Sequence, residues 1–188
     1  MAIASACSGS PFTIRAMTRA DLPAAMAIQR AAYPAHLQEG EAAFASKLEA
    51  GGALCSVAER GGAGREGAGR EGEIFAYCLA HGWRAGSPPA LGAVLQQGDA
   101  AQVLFIHDLC IAASARGSGA GRRMAEHCCE AGRAAGLTRA ELVAVSGAAP
   151  FWRSMGFTEG VPDAALRAKL AGYGADARWM WRELGAKI

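Results

Sequence analysis

A chain of 188 residues suits one domain and can bury roughly two thirds of the surface that it exposes when unfolded. With 52% apolar and 19% charged residues it is neither a disordered nor a membrane-spanning composition, and no apolar stretch reaches the roughly 18 residues of a membrane helix. A net charge of +2 is too small for a nucleic-acid-binding face, so any strong anion site must be local.

Residues 1–11, "MAIASACSGSP", lack a basic start and a sustained apolar segment, so they read as a flexible leader to a cytoplasmic domain over 12–188 rather than a secretory signal. "FTIRA" at 12–16 alternates as a strand. A helix follows with Leu22, Met26 and Ile28 at helical spacing, Thr18 at its cap, Asp21 three residues on and Pro34 closing it. A second helix is expected over about 39–49, ending at Gly51 and Gly52. Strands are expected at 53–59 and 74–83. Between them the pentapeptide GAGRE occurs twice, at 62–66 and 67–71, and predicts a long mobile hairpin loop over 60–73.

After an irregular Pro- and Gly-containing stretch, "QVLFIHDLCIA" at 102–112 is the strongest strand and, with both faces largely apolar, a central one. A helix with Met124, Cys128, Ala131 and Ala135 on one face runs to Gly136. "AELVAV" at 140–145 is a buried strand, "APFWRSMGF" gives a short helix and turn, and "DARWMWREL" at 176–184 is a terminal strand with Trp179 and Trp181 on one face. That apolar strand suits contact with a second copy of the chain. The order β-α-α-β-β-β-α-β-α-β predicts one mixed α/β domain around a central sheet. The six cysteines form no C-x-x-C pair and no zinc-spaced cluster, so they read as small buried hydrophobes and no metal is expected.

Between the central strand and the third helix lies "ARGSGAGRR", residues 115–123. A helix start leaves backbone N–H groups unpaired and carries partial positive charge. Glycines at 117, 119 and 121 keep β-carbons away from those amides, and Arg116, Arg122 and Arg123 add charge, which together describe a phosphate site. Neither the P-loop pattern nor the dinucleotide pattern G-x-G-x-x-G is present.

The stretch resembles the acyl-CoA signature of the GNAT superfamily of N-acetyltransferases, [QR]-x-x-G-x-[GA], with Arg116, Gly119 and Gly121 at its specified positions. "APFWRSMGF", about 30 residues on, resembles the later A-x-x-[FL]-[YW]-x-x-x-G-F element, and the element order matches over roughly residues 12–184. The resemblance implies a mostly antiparallel sheet splayed between its fourth and fifth strands. It implies acetyl-CoA as cosubstrate, its arm along Leu109, Cys110 and Ile111, its diphosphate over Arg116, Gly117, Ser118, Gly119, Ala120, Gly121 and Arg122, and Phe151 and Trp152 beside it. It further implies direct attack by a primary amine of a small molecule or peptide, with a backbone N–H near Leu109 meeting the oxyanion. Many members place an acidic tyrosine where this chain has Trp152, whose indole N–H is no usable acid. Ser146 and Tyr173 are the alternative donors, or else packed hydroxyls.

For the base, His107 and Asp108 are the polar pair in the central strand, and strand alternation sends them to opposite faces. A water relay is an equal alternative, and His81 a weaker one. Tyr33, Glu39 and Glu41 fall near the link between the first two helices, where the family shapes its acceptor pocket; Tyr33 and Glu39 are taken as substrate-binding, against a default of exposed charge for the carboxylates. The rival to an enzyme is an acyl-CoA-binding module in which Trp152 marks lost chemistry.

Overall fold

The structure, a computed structural model, describes residues 12–61, 72–96 and 100–185. The leader and the GAGRE repeats lie outside the described residues. The elements in chain order are β1 (Thr13–Ala16), α1 (Leu22–Ala32), α2 (Glu41–Gly51), β2 (Ser56–Arg60), β3 (Glu73–Trp83), β4 (Val103–Ile111), α3 (Ala120–Ala134), β5 (Arg139–Ala144), α4 (Ala149–Ser154), β6 (Thr158–Glu159), α5 (Ala164–Ala171) and β7 (Arg178–Glu183). The strands form one sheet in the order β1-β2-β3-β4-β5-β7-β6, with β4 at its centre. All neighbours are antiparallel except β4 and β5.

Helices cover both faces of this sheet, so each strand presents apolar side chains on two sides. Met17, Leu22, Ala25, Ile28, Phe44 and Leu48 bury Val57, Tyr77, Leu79 and Cys110 on the α1/α2 face. Met124, Ala125, Cys128 and Cys129 of α3 bury Ala76, Cys78, Ala80, Leu104 and Ile106 on the other. Of the expected face of α3, Met124 and Cys128 are buried and Ala131 half-buried, whereas Ala135, just past the helix end, is exposed; Gly132 is buried as well, and a β-carbon there would sit 2.7 Å from Leu104 Cδ2. Close approach of helix to strand is what that glycine permits. Thr18 donates its N–H and its hydroxyl to Asp21 Oδ2 at 2.7 and 2.9 Å, and Arg15 grips both Asp21 oxygens at 2.8 Å. The entry to α1 is fixed by this clasp.

Two features depart from the sequence reading. Residues 158–175 contain β6 and α5, the latter opened by Asp163, whose Oδ1 accepts the Leu166 N–H at 2.7 Å. The terminal strand β7 pairs with β5 along Arg178–Glu183 and on its other side with β6 at Thr158 and Glu159, so it is not an edge strand of the sheet. Trp179 and Trp181 do share a face, both under the Arg139 guanidinium at 5.8 and 4.5 Å. Five cysteines, Cys55, Cys78, Cys110, Cys128 and Cys129, are free and buried. Among the described residues no helix is long and apolar enough to cross a membrane.

The register at the centre of the sheet positions everything that follows. On β4, Ile106 faces Ala80 and Asp108 faces Leu79, leaving His107 without a partner on β3. This is a β-bulge, which adds a residue to one strand and bends it. β4 and β5 pair only from Leu104 to Ile106 against Ala140 to Leu142. Beyond the bulge the two strands part.

Candidate active site

The parting strands open a cavity of about 500 Å³. Its walls are β4 from Ile106 to Ile111, β5 and the following turn from Leu142 to Ser146, Tyr33 at the end of α1, and Phe151 and Trp152 of α4, with Arg116 and Gly121 at its mouth. The Ala112 N–H donates to Phe75 O at 2.8 Å, so it points toward β3. Backbone groups alternate sides along an antiparallel strand, which turns the N–H and C=O of Leu109 and Ile111 the other way, into the gap left by β5.

The same strand runs into the glycine loop. Gly117 and Gly119 both take φ of +81°, and Gly119 caps α3 in the left-handed region that other residues avoid. The Ser118 hydroxyl accepts the Ala120 N–H at 3.4 Å, and the Arg123 N–H bonds Gly119 O at 3.2 Å. Between them the first-turn amides of Gly121 and Arg122 have no intrahelical acceptor, as helix geometry requires. A β-carbon at Gly117 or Gly119 would meet nothing within 4 Å, and one at Gly121 would only touch Phe151 and Ile111 at 3.6 and 3.8 Å. Space is thus open around Gly117 and Gly119, and Gly121 lines the cavity, so no side chain among the described residues covers these amides against an anion. Arg116 and Arg122 are exposed beside it, Arg122 near Ser154 and Glu126. Arg123 instead lies over the Phe12 ring at 4.3 Å, away from the loop. Ala120 contributes its side chain to the core and only its backbone to the loop.

At the inner end of the cavity the bulge overturns one expectation. His107 and Asp108 lie on the same face, because the extra residue cancels the alternation. Asp108 accepts the Tyr33 hydroxyl at 2.7 Å on one oxygen and the Tyr77 hydroxyl on the other. Burial pushes its carboxyl above the ordinary range, against the pull of the two phenols. His107 Nε2 lies 2.9 Å from Glu39 Oε2.

Glu39 is the second correction. It is neither an exposed charge nor a carboxylate left free for substrate: it is buried, Lys47 Nζ reaches Oε2 at 3.1 Å, and the Gly92 N–H donates to Oε1 at 2.5 Å. Burial alone would raise its carboxyl, but the hydrogen bond from His107 and the charges of His107 and Lys47 hold it at about 2. Glu41, by contrast, is exposed in the first turn of α2. A second, smaller cavity of about 40 Å³ touches Tyr33, Glu39, His107, Asp108 and Tyr173.

The expected proton donors are separated. Ser146 lines the large cavity on an exposed turn at φ +50°. Tyr173 lines the small cavity, and its hydroxyl donates to Pro89 O at 2.5 Å. Trp152 is buried between Phe151 and Phe157, with ring centroids at 5.0 and 5.2 Å. His81 is fully buried, its ring 6.0 Å from that of His107, and lines neither of these two cavities. Desolvation brings it down to about 4.

Sequence reasoning missed Lys47, Gln29 and Tyr77. Lys47 was visible as a cation on the apolar face of α2 beside Ala43, Phe44 and Leu48, and Tyr77 as a hydroxyl in the middle of an apolar strand. Gln29 brackets the Glu39 backbone, donating to its carbonyl at 3.0 Å and accepting its N–H at 2.9 Å.

A helix-covered, mostly antiparallel sheet with one parallel pair that splays at a bulge, leading into a glycine-rich helix start, is the architecture of an acyl-CoA transferase domain. The chain matches the acetyltransferase (GNAT) family over residues 23–157, more than half its length, and it belongs to that family. No curated protein matches it in sequence. Solved structures of similar fold include the ribosomal-protein-S18-alanine N-acetyltransferase of Escherichia coli, at 18% identity and TM-score 0.64, covering 94% of this chain and 96% of that one. The GphF GNAT-like decarboxylase in complex with isobutyryl-CoA is similar at 16% identity and TM-score 0.68, covering 92% of this chain and 100% of that one. N-acetylglutamate synthase from Neisseria gonorrhoeae, complexed with coenzyme A and N-acetyl-glutamate, is similar at 14% identity and TM-score 0.60, covering 93% of this chain and 35% of that one. At these identities the likeness is one of fold.

Proposed function

We propose that this protein is an N-acyltransferase that moves an acetyl group from acetyl-CoA to a primary amine of a small molecule or peptide, by direct attack while both are bound. The observation that carries the proposal is the unbroken path of peptide groups from Leu109 and Ile111, turned into the gap where β5 departs, to the glycine-opened start of α3. An extended pantetheine arm finds an added-strand partner on the first, and a diphosphate finds amides and arginines on the second.

In this reading Arg116, Arg122 and the amides from Gly117 to Arg122 hold the diphosphate, while Phe151 and Trp152 close the apolar side of the cavity. When bound, acetyl-CoA supplies an acyl carbon whose C–S bond is exchanged for C–N, with the thiol as leaving group. The Leu109 N–H, a fixed backbone dipole, stabilises charge developing on the acyl oxygen. Tyr33, Asp108 and His107 surround the approach of the acceptor nitrogen. With tryptophan at 152 the sulfur departs as a thiolate, which a pKa near 8.5 makes tolerable near neutral pH.

Thiol release from acetyl-CoA, measured with a polyamine, an aminoglycoside, an amino acid and an N-terminal peptide as acceptors, tests the proposal. Amine-dependent release is expected. The buried Trp152 and the engagement of the Tyr173 hydroxyl by Pro89 favour a second reading, an acyl-CoA-binding module without turnover. That reading predicts a thermal shift with acetyl-CoA and no thiol with any amine.

A further inference from the structure

We propose that Glu39 and Lys47 are positioning residues that hold His107 as the general base for the acceptor amine, with Nε2 turned to Glu39 and Nδ1 turned to the substrate. The inference rests on the acyl-transfer reading above. The three side chains are almost wholly withdrawn from solvent, at 3% exposure for Glu39, 0% for Lys47 and 3% for His107. Glu39 Oε2 receives both Lys47 and His107, Oε1 receives Gly92, and Lys47 spends its remaining donors on Ala93 O at 3.0 Å and Ala43 O at 3.4 Å. The carboxylate cannot turn away.

An ionised carboxylate only accepts hydrogen bonds, so the nitrogen facing it must carry the hydrogen. Neutral imidazole has one such hydrogen. In that neutral ring Nδ1 is a bare lone pair, and the atom is buried with no hydrogen-bond partner among the described residues. Leaving a buried polar atom unpaired costs about 1–3 kcal/mol. A ring that lines both cavities yet keeps one unmatched nitrogen is matched to a donor arriving from outside the chain, and an ammonium is such a donor.

The other groups around it are occupied. Asp108 of β4 has one phenol on each oxygen, from Tyr33 after α1 and Tyr77 of β3. The Tyr173 hydroxyl, after α5, is given to Pro89. His81 of β3 turns Nδ1 toward Gly82 O at 3.2 Å and lines neither cavity. In the reaction the ammonium gives one proton to Nδ1, forming an imidazolium that faces Glu39. The freed nitrogen pair bonds to the acyl carbon as the C–S bond breaks, the second N–H proton goes to the departing sulfur, and His107 returns the first to water. The products are the amide, the thiol and one proton.

The test begins with wild-type protein labelled with 15N-histidine, the His107 ring being assigned through His107→Gln. Long-range nitrogen spectra are expected to show a protonated Nε2 and a bare Nδ1; a protonated Nδ1 in the neutral ring overturns the proposal without any variant having to fold. With the most active amine, His107→Gln is expected to lower kcat by about 10²-fold or more. Glu39→Gln is expected to move the acidic limb of the kcat/KM profile to lower pH, because the imidazolium loses its counter-charge, and Lys47→Met to higher pH, because a neighbouring cation is gone. A purely structural role moves both in one direction or neither, and either result overturns the assignment. A wild type that releases no thiol with any amine removes the acyl-transfer reading itself, whereas turnover retained within about threefold in His107→Gln removes only the base.

Discussion

His81 makes the stability of this domain sensitive to mild acid. It is fully buried, and desolvation lowers it from an ordinary value near 6.5 to about 4, with the neighbouring His107 and Lys47 adding to the effect. The native state thus refuses a proton that the unfolded chain accepts. The neutral-ring contribution is fully present above about pH 6.5 and lost as the pH falls toward 4. Each pH unit in that window costs about 1.4 kcal/mol, so moving from pH 7 to pH 5 removes about 2 kcal/mol. Urea denaturation reads this as a midpoint lowered by about 1 M, given a slope of about 2 kcal/mol per molar. His81→Leu removes the titration at similar volume, and Nε2 has no partner among the described residues whose hydrogen bond would be lost. Between pH 7 and 5 the variant should lose about 2 kcal/mol less than the wild type, the other titrating groups cancelling in the difference. Equal losses in the two proteins refute the burial argument.

Gly119→Val should abolish most of the stabilisation by acetyl-CoA, which at a hundred times Kd is about 2.7 kcal/mol for the wild type. The comparison is between liganded and unliganded melts of each protein, because φ of +81° makes valine costly in itself. Gly51→Ala would place a β-carbon 2.0 Å from Ala80 O and 2.6 Å from Cys55 Sγ, and is expected to destabilise by about 3 kcal/mol in urea. Gly40→Ala, with nothing within 4 Å among the described residues and φ of −77°, should cost only the exchange of glycine for alanine at the N-cap of α2, no more than about 1 kcal/mol. Tyr77→Phe leaves one Asp108 oxygen without its donor and should cost about 2 kcal/mol by the same measurement. Glu39 adds an acid transition of its own: held at about 2, its contribution is present above about pH 4.5 and lost below, and Glu39→Gln should flatten the stability profile there.

Much of this was local and therefore legible in the chain. A strand running straight into glycines 117 and 119 and then a helix is a statement about backbone conformations and unpaired amides, which depend on near neighbours alone. Periodicity placed every strand but the two-residue β6, and every helix but α5, within a few residues for the same reason. What only the tertiary structure decided lies at the other end of the cleft. The bulge at His107 exists in the pairing of β4 with β3, not in β4, and it alone puts His107 and Asp108 on one face. Glu39 and Lys47 look like surface charge until Gln29, Gly92, Ala93 and His107 close around them, drawn from segments up to 68 residues away. Conformation is set along the chain, whereas the protonation and burial of a side chain are set by whatever the fold brings against it.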